Sequence, residues 1–300
     1  MKSKRVWLTG ASGQLGQTLL QHFSEPEGIE WISTTRNTVD LLKPQQLKDF
    51  FESHKPDAIV NAAAYTQVDA AENNPINAAL VNSNAPKELA HLCKQHNTCL
   101  IHISTDYVFG SSSPLPITPY TETDLPHPVN VYGRTKREGE HHIQTILPNH
   151  YILRTSWLYS PYGRNFYLAI REKLTKGETL KVVSNEVGSP TSAFTLSQII
   201  VECLQRLYTP QAIPYGIYHC SNSGNTSRYQ WAKAIAQLHP KTKDATIIPC
   251  QQADYPTLAP RPTYSVLSNN KISSALNSLQ IPNWLSALHE VFLIEQSNIQ

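Results

Sequence analysis

Tyr132 and Lys136 stand four residues apart at the start of a segment, 131–147, which is predicted to be helical because it follows Pro128 and ends before Pro148. The spacing places the phenol and the ammonium on one face of that helix. A free tyrosine keeps its proton up to a pH of about 10, and a neighbouring cation lowers this pKa by stabilising the phenolate. The pair therefore predicts proton transfer to or from an oxygen near neutral pH, although an ordinary amphipathic turn would have the same spacing.

A hydroxyl that could meet Tyr132 is predicted at Thr105, which closely follows a buried strand at 99–103. Ligands of open α/β sheets lie at the carboxyl ends of the strands, so Thr105 and the adjacent Asp106 stand where chemistry is expected. Both have structural alternatives, because a threonine can bond backbone at a strand end and an aspartate can cap a turn. The segment 111–129 is rich in Pro, Ser and Thr and is predicted to be an irregular excursion over the site.

The first strand, predicted at 5–9, is followed by the glycine-rich turn Gly-Ala-Ser-Gly-Gln-Leu-Gly at 10–16 and then by a helical pattern. Glycines permit a tight turn, a close approach of a diphosphate to the backbone, and close packing of the helix on the strand. The free N–H groups of the helix then face the anion. The turn predicts a dinucleotide site rather than a plain loop, and its candidate residues are Gly10, Ser12, Gly13, Gln14, Leu15 and Gly16.

The residues after the second and third predicted strands bear on which dinucleotide is bound. Strand 29–33 leads to Arg36 instead of an acid, and an arginine there accommodates a 2′-phosphate, so NADPH is favoured over NADH. A solvated loop charge is the alternative for Arg36. Asp40 and Leu41 are candidates for the adenine edge. Small side chains after strand 57–61 leave room along the path of the cofactor at Ala62, Ala63 and Ala64.

The order of strands and helices predicts the fold class. Strands alternate with helices up to residue 156, which is typical of an α/β Rossmann fold with a doubly wound parallel sheet, and residues 1–156 are assigned to a dinucleotide-binding domain. Beyond this point the alternation loosens, and residues 157–300, with strands predicted at 180–183 and 216–219, are predicted to form mostly a smaller mixed α/β substrate-binding domain. Part of 180–207 is predicted to return to the first domain.

Composition restricts the class of protein and its location. The 300 residues are 40% apolar and 16% charged, with a net charge of +2, which argues against disorder and broad attraction to nucleic acid. The five cysteines are odd in number, spread out and without a C-x-x-C pair, which argues against a disulfide framework or a zinc site. Because no cleavable apolar segment precedes the first strand and no apolar run reaches membrane-spanning length, we expect a cytoplasmic protein without membrane contact.

Several blocks of sequence together resemble the dTDP-4-dehydrorhamnose reductases, a family of extended short-chain dehydrogenases/reductases. The resemblance covers nearly the whole chain, and the blocks in combination are far more specific than any one of them. They are Asn-Ala-Ala-Ala-Tyr-Thr-x-Val-Asp-x-Ala-Glu at 61–72, Ser-Thr-Asp-Tyr-Val-Phe at 104–109, Asn-Val-Tyr-Gly-Arg-Thr-Lys-x-x-Gly-Glu at 130–140, Arg-Thr-Ser-Trp-Leu-Tyr at 154–159, Gly-x-Asn-Phe at 163–166, Gly-x-Pro-Thr at 188–191, Gly-x-Tyr-His at 216–219 and Arg-Pro at 261–262.

The resemblance implies an activity and a role for each candidate. The family reduces the 4-keto group of dTDP-6-deoxy-L-lyxo-4-hexulose to give dTDP-L-rhamnose, a precursor of cell-surface polysaccharides such as lipopolysaccharide, with hydride from NADPH or NADH. Tyr132 would protonate the developing alkoxide, while Lys136 would bind the nicotinamide ribose and lower the pKa of that tyrosine. Thr105 and Asp106 would position the sugar. The implied substrate-binding residues, with Trp157 stacked on the sugar, are Thr66, Val68, Thr105, Tyr107, Trp157, Asn165 and Arg261.

One departure from the family bears on metal binding. Some members hold magnesium at a subunit interface with glutamates, one of them in the helix after the glycine turn, but the corresponding position here is Thr18. We therefore predict no metal, and we expect a monomer or a homodimer that is not built around magnesium. The histidines suggest no other metal site, because His141 and His142 diverge on a helix. His102 is predicted to be a surface residue or a side chain with its hydrogen bonds satisfied.

Other functions share this scaffold. A sugar-nucleotide dehydratase usually has two consecutive carboxylates after the threonine, whereas here Asp106 is followed by Tyr107, which favours simple reduction. An epimerase, or a reductase of another nucleotide 4-keto-deoxysugar, stays open, and an epimerase would keep its NAD bound without consuming it. A non-catalytic regulatory subunit like that of methionine adenosyltransferase also stays open, although intact Thr105, Tyr132 and Lys136 favour an enzyme.

Overall fold

The computed structural model describes residues 3–110, 118–239 and 245–297. Its strands are β1 (Lys4–Thr9), β2 (Ile29–Ser33), β3 (Ala58–Asn61), β4 (Cys99–Thr105), β5 (His150–Thr155), β6 (Leu158–Tyr159), β7 (Leu180–Val183), β8 (Val187–Gly188), β9 (Thr191–Ser192), β10 (Gly216–His219), β11 (Thr226–Ser227) and β12 (Ile247–Cys250). A six-stranded parallel sheet has the order β10, β5, β4, β3, β1, β2. The other strands form short pairs, β11 with β8, β12 with β7 and β6 with β9. The large sheet confirms the predicted fold class.

Helices lie on both faces of this sheet and in the region beyond it. They are α1 (Gln14–His22), α2 (Pro44–His54), α3 (Val68–Asn73), α4 (Pro75–Ala79), α5 (Ala85–His96), α6 (Val131–Ile146), α7 (Phe166–Thr175), α8 (Ala193–Arg206), α9 (Arg228–Leu238), α10 (Asn270–Ala275) and α11 (Trp284–Ser297). A π-helical turn, Leu80–Asn84, joins α4 to α5, and 3-10 turns lie at Asp106–Val108 and Gln252–Asp254. None of the helices in the described part of the chain combines the length and the apolar character that a bilayer span requires.

The alternation of side chains along β1 separates two hydrophobic cores. Val6 and Leu8 face the core that contains α1 and α8, whereas Trp7 faces the opposite side with Phe51 of α2 and Leu89 of α5. This arrangement follows from the strand period, in which successive side chains point to opposite faces of the sheet. Since all three β1 side chains are fully buried, a slip of one residue would exchange the two cores, and the register of β1 is therefore fixed.

A separate core in the second half of the chain lies among α7, α9, α11 and β7, and Tyr167, Trp231 and Leu288 are fully buried in it. Helix α8 instead packs on α1 in one of the cores of the large sheet. The strand at 216–219 was predicted to belong to the smaller region, but as β10 it pairs with β5 at the edge of the large sheet. Its partner is set by a contact distant in sequence, which local patterns do not encode. The domain boundary at residue 156 stays a prediction.

The helical stretch from α4 to α5 is interrupted by the π-helical turn. Pro86 has no N–H to donate to the carbonyl of Asn82, so regular α-helical bonding fails at this point. The side chain of Asn82 is buried, where Oδ1 accepts from the N–H of Tyr65 at 2.8 Å and Nδ2 donates to the hydroxyl of Thr135 at 3.2 Å. The turn thus ties the segment after β3 to helix α6.

Two glycines allow helix α6 to approach its neighbours closely. A Cβ atom at Gly133 would collide with the carbonyl oxygen of Tyr107, and one at Gly139 would collide with the carbonyl oxygen of Asn82. Both neighbours are backbone atoms, which cannot rotate away as a side chain can. Helix α6, which carries the predicted catalytic pair, is therefore seated directly on the turn after β4 and on the π-helical turn.

The excursion predicted at 111–129 is described only in part, because residues 111–117 lie outside the described residues. The remaining residues form no helix, and Tyr120 makes a parallel bridge to Leu267. The ring of Tyr120 also stacks on Phe109, with centroids 4.2 Å apart. The described end of the excursion is therefore held against the body of the protein.

Candidate active site

A cavity of about 1120 Å³ extends from the glycine turn to the first residues of α6 and α9. The carboxyl ends of β1, β3, β4 and β5 all reach it, as expected for an open parallel sheet. Most of the predicted site residues line this cavity: Gly10, Ser12, Gly13, Gln14, Leu15, Arg36, Asp40, Leu41, Ala62, Ala63, Ala64, Thr66, Val68, Thr105, Asp106, Tyr107, Tyr132, Lys136, Trp157 and Arg261.

Gly16 and Asn165 do not line the cavity. A Cβ atom at Gly16 would lie 2.5 Å from the carbonyl oxygen of Gly10, so Gly16 allows the helix to pack on the turn. Asn165 caps helix α7, because its Oδ1 accepts from the N–H of Leu168 at 3.0 Å. Its Nδ2 lies 3.3 Å from Oε1 of Gln14, so Asn165 reaches the cavity only through that side chain.

The glycine turn has the geometry of an anion cradle. Gly10 has φ of +70°, and a Cβ atom there would lie 2.7 Å from the backbone nitrogen of Ala63. Gly13 precedes α1, and no side chain caps the first turn of that helix. The N–H groups at the start of α1 are therefore left for a ligand, and the backbone at Gly10 and Gly13 is accessible because glycine has no side chain.

Helix α6 begins with two caps that place Tyr132 in its first turn. Oδ1 of Asn130 accepts from the N–H of Gly133 at 2.8 Å, and Oε1 of Glu72 accepts from the N–H of Val131 at 2.7 Å. These acceptors satisfy backbone donors that a helix N-terminus otherwise leaves free. The start of α6, and with it the phenol, is thus fixed from two sides.

The phenol of Tyr132 lies beside the hydroxyl of Thr105 in the cavity, so the two predicted groups meet. Burial raises the pKa of Tyr132, the polar interaction with Thr105 opposes this rise, and nearby Asp106 and Tyr107 add to it. The hydroxyl of Thr105 also donates to Oδ1 of Asp106 at 3.1 Å. Tyr132 therefore carries its proton at neutral pH and is suited to act as an acid.

The polar contacts of Lys136 are with β4. Its Nζ donates to the carbonyl of Ile103 at 2.6 Å and lies 3.1 Å from Nε2 of His102. Burial lowers the pKa of Lys136 to about 8. Lys136 was predicted to lower the pKa of Tyr132. In the structure, the interaction that lowers this pKa comes from Thr105 instead.

Glu140 is a fully buried carboxylate that sequence reasoning did not include in the site. It lies one turn beyond Lys136 and opposes the effect of burial on the pKa of that lysine. Its two oxygens accept from Nε and Nη2 of Arg154 at 2.8 and 2.7 Å, and Oε1 also accepts from the hydroxyl of Ser104 at 2.6 Å. The spacing of four residues from Lys136 is the signal that could have identified it.

His102 is satisfied, as predicted, but its partners belong to the site. Its Nδ1 lies 3.0 Å from Nδ2 of Asn61, and its Nε2 lies against Lys136. Oδ1 of Asn61 in turn accepts from the hydroxyl of Thr9, the residue before the glycine turn, at 2.8 Å. A buried chain of hydrogen bonds therefore connects the glycine turn to Lys136 across β1, β3 and β4.

Asp106 is buried beside the phenol, and burial raises its pKa from 3.8 to about 6. The strongest opposing interaction is a hydrogen bond from the hydroxyl of Ser265 to Oδ2 at 2.6 Å. The positive charge of Arg228 acts in the same direction as that hydrogen bond. Ser265 and Arg228 were not predicted, because both are far from Asp106 in sequence.

The predicted substrate side of the cavity contains two arginines with acidic partners. Arg261 pairs with Asp69, with 2.7 Å between Nη2 and Oδ2. The guanidinium carbon of Arg228 lies 3.6 Å from the ring centroid of Trp157, which has φ of +46°. Glu186, the acidic partner of Arg228, was also missed by sequence reasoning. Trp157 therefore lies at the cavity with a cation over its ring.

At the opposite end of the cavity, Arg36 is exposed and makes no hydrogen bond or ion pair with the residues that the structure describes. Asp40 is partly buried, and its Oδ1 accepts from the N–H of Leu42 at 3.1 Å. Arg36 is thus a charge at the rim whose guanidinium is available to a ligand, whereas Asp40 has a local role in its turn.

In residues 3–110, 118–239 and 245–297, no group of three His, Cys, Asp or Glu side chains is arranged to hold a metal ion. Thr18 is fully buried, and its hydroxyl donates to the carbonyl of Gln14 at 2.8 Å within α1. Its hydroxyl therefore serves the helix backbone.

The family model described as the RmlD substrate binding domain matches residues 4–296. The chain belongs to this family. It is 34% identical to the dTDP-4-dehydrorhamnose reductase of Aggregatibacter actinomycetemcomitans over 96% of its own length and 98% of that protein.

Solved structures of dTDP-4-dehydrorhamnose reductases have the same fold as this chain. The dTDP-4-dehydrorhamnose reductase of Clostridium acetobutylicum is 33% identical with a TM-score of 0.88, and the match covers 97% of this chain and 99% of that one. The reductase of Bacillus anthracis, crystallised in complex with NADP, is 32% identical with a TM-score of 0.88 over 98% and 99% of the two chains. The resemblance inferred from the sequence blocks is confirmed.

Proposed function

We propose that this chain reduces the 4-keto group of dTDP-4-dehydro-L-rhamnose, with NADPH as the hydride source, to give dTDP-L-rhamnose. The names of its full-length relatives support this substrate and reaction. The observation that carries the proposal is the adjacent pair of Tyr132 and Thr105, which lies in the same cavity as the glycine turn. This pair provides a proton donor and an orienting hydroxyl at one place.

The residues present fit a nicotinamide dinucleotide. Gly10 leaves no space for a side chain beside Ala63, so its backbone can approach a diphosphate at the start of α1. Lys136 would hold the nicotinamide ribose at the other end of the cavity. NADPH supplies a hydride when bound, and NADH would supply the same chemistry. The exposed guanidinium of Arg36 supports a preference for the 2′-phosphate.

Tyr132 acts as the acid in the proposed reaction. Burial keeps its phenol protonated at neutral pH, and this is the form that a ketone reduction requires at the start. As the C4 carbonyl becomes an alkoxide, the O–H bond of Tyr132 breaks and its proton passes to that oxygen. The hydroxyl of Thr105 would turn its hydrogen from Asp106 to the same oxygen and hold it in place. Lys136, with a pKa of about 8, can exchange protons near neutral pH while the phenol is restored.

The alternatives predict different observations. An epimerase would interconvert sugars without net consumption of cofactor, and a reductase of another nucleotide 4-keto-deoxysugar would prefer a different substrate. A non-catalytic regulatory subunit would bind ligands without turnover. The adjacent Tyr132 and Thr105 favour an enzyme, because a binding protein has no need of a buried phenol beside a second hydroxyl.

A substrate panel tests the proposal. Purified protein is mixed with NADPH or NADH and a series of nucleotide 4-keto sugars, loss of absorbance at the nicotinamide band is followed, and the product is identified by NMR. We expect one equivalent of dTDP-L-rhamnose for each NADPH oxidised. Interconversion without oxidation would show an epimerase, turnover of a different sugar alone would change the substrate, and no turnover with any sugar would overturn the proposal.

We also propose a cytoplasmic location and function without nucleic acid, membrane or metal. All five cysteines are free, which suits a reducing compartment. A monomer or a homodimer is compatible with the cavity, because a single chain supplies every predicted catalytic group.

A further inference from the structure

Arg228 is held at the cavity by two neighbours that fix its orientation. It is the first residue of α9, and its guanidinium carbon lies 3.6 Å from the ring centroid of Trp157. Its Nε lies 3.7 Å from Oε2 of Glu186. The side chains of Arg228 and Glu186 are only 17% and 7% exposed, and both residues line the cavity. The arginine is therefore a largely buried charge in a defined position.

The hydrogen-bonding capacity of this guanidinium is mostly unused within the protein. Among the residues that the structure describes, Glu186 is its one acidic partner, and no carbonyl accepts from its terminal nitrogens. A stacked ring covers the flat face of a guanidinium but leaves its N–H groups free in the plane. The nitrogens of Arg228 are not among the buried polar atoms that lack a partner, so they are reachable from the cavity and suited to donate to oxygen atoms of a ligand.

The position of Arg228 places it near the reacting end of the cavity. Its positive charge lowers the pKa values of Asp106 and Tyr107, which adjoin Thr105. It also lowers the pKa of Glu186, which burial raises. A substrate whose ketone lies at Tyr132 would therefore have its sugar ring, rather than its base, close to Arg228.

The charge balance favours a neutral ligand group over a phosphate. Arg228 and Glu186 together are neutral, so the pair offers hydrogen-bond donors and acceptors without a net attraction for an anion. Arg164 and Lys181 line the same cavity and have no carboxylate within ion-pair distance in the described chain. These two cations are better placed by charge to meet a diphosphate.

We propose that Arg228 and Glu186 form a sugar-recognition pair, in which Arg228 donates to oxygen atoms of the deoxysugar and Glu186 accepts from one of its hydroxyls. This rests on the proposed function and deepens it by assigning specificity for the sugar. Trp157 then acts through the arginine, since Arg228 covers a face of the ring on which a sugar would otherwise stack. A Cβ atom at Gly188 would lie 2.5 Å from Cε2 of Trp157, so the indole is also confined from the β8 side.

The test compares two ligands that share the nucleoside diphosphate, one with the sugar and one with a free terminal phosphate of higher charge. Calorimetric titrations with dTDP-L-rhamnose and with dTDP, at saturating NADPH, give a ratio of dissociation constants for the wild type, Arg228→Gln and Glu186→Gln. We expect Arg228→Gln to weaken dTDP-L-rhamnose about tenfold and Glu186→Gln to weaken it several-fold, with dTDP little changed. Arg228→Lys, which keeps the charge but loses the planar fork, should also lower the ratio.

Arg164→Gln is the matched control, because this arginine lines the same cavity but is not expected to meet the sugar. It should leave the ratio unchanged even if it weakens both ligands. Melting temperature and NADPH affinity show whether each variant is folded. If Arg228→Gln does not fold, Arg228→Lys replaces it in the comparison. Equal weakening of both ligands by Arg228→Gln would show phosphate binding and overturn the proposal, as would unchanged affinity for both ligands.

Failure of the proposed function gives a different result. A wild type that reduces no nucleotide 4-keto sugar, yet binds dTDP-L-rhamnose more tightly than dTDP through Arg228, would retain the recognition pair and lose the reaction. A wild type that binds both ligands equally would overturn the recognition pair even if it reduces the substrate.

Discussion

Nζ of Lys136 lies 3.1 Å from Nε2 of His102, and the other ring nitrogen of that histidine faces the amide of Asn61 at 3.0 Å. Oδ1 of Asn61 accepts from the N–H of Ala63 and from the hydroxyl of Thr9, so its NH₂ group is directed at Nδ1. Nδ1 is then the acceptor, and the proton of the neutral imidazole is on Nε2, directed at Lys136. This contact favours the neutral amine and acts in the same direction as burial, which lowers the lysine pKa to about 8.

Replacing His102 by Leu should raise the pKa of Lys136. The substitution removes an N–H that opposes the ammonium, while Glu140 continues to favour the charged form. The measurement is the pH dependence of kcat/KM, whose inflection near pH 8 should move to higher pH. Cys93→Ala is the control for a general packing defect, because Cys93 of α5 is fully buried in the core that α5 and α6 form against the sheet. An unmoved inflection would mean that His102 only fills space.

Tyr132→Phe should lower kcat by at least about 100-fold, because the proton donor is removed while the ring remains in place. The dissociation constant of NADPH should stay within about twofold, since the diphosphate is expected at the glycine turn rather than at the phenol hydroxyl. Stopped-flow absorbance and fluorescence titration measure the two quantities. Turnover close to that of the wild type would remove Tyr132 as the acid.

Arg36→Ala should weaken NADPH binding about tenfold and leave NADH binding unchanged, because only NADPH has a 2′-phosphate for the guanidinium to meet. Arg36 is exposed and without a partner among the described residues, so its removal should not alter stability. Titration with both cofactors gives the ratio directly. A parallel loss for NADH and NADPH would assign the charge to a part common to both.

Gly10→Ala and Gly177→Ala separate backbone strain from collision. Gly10 and Gly177 have φ of +70° and +69°, so alanine costs about 1–2 kcal/mol of conformational energy at either position. Only at Gly10 would the new methyl group meet backbone, 2.7 Å from Ala63, whereas nothing lies within 4 Å at Gly177. Urea unfolding should show the larger loss for Gly10→Ala, with NADPH binding lost as well. Equal losses would indicate that the turn can widen.

Asp106→Asn should change the pH dependence of stability. The aspartate binds its proton more readily when folded, with a pKa of about 6 against 3.8 unfolded, so the wild type loses stability as pH rises through this window. The loss amounts to about 3 kcal/mol by pH 7. The asparagine variant lacks this titration, and changed hydrogen bonds to Ser265 add only a constant offset. Urea unfolding curves at pH 4 and pH 7 give the difference, and parallel behaviour of the two proteins would refute it.

The features that could be predicted from sequence are those encoded by residues close together along the chain. Strands β2, β7 and β10 have the predicted bounds, and the strand-end rule brings Thr105 and Tyr132 to one cavity. Arg228 and Glu186 were missed because no motif joins them, and they meet only when α9 packs beside the residues before β8. The contact of Lys136 with His102 likewise depends on how α6 sits on β4, which periodicity does not determine.

The inner face of α6 has no room for even a methyl group at Gly133 or Gly139, because carbonyl oxygens already occupy those places. A helix confined in this way cannot shift to accommodate a different sugar without losing its close backbone contacts with Tyr107 and Asn82. Attempts to redirect this scaffold to new substrates should therefore leave the helix untouched. They should diversify positions beyond residue 156 that line the cavity with side chains, of which Arg228 is the first choice.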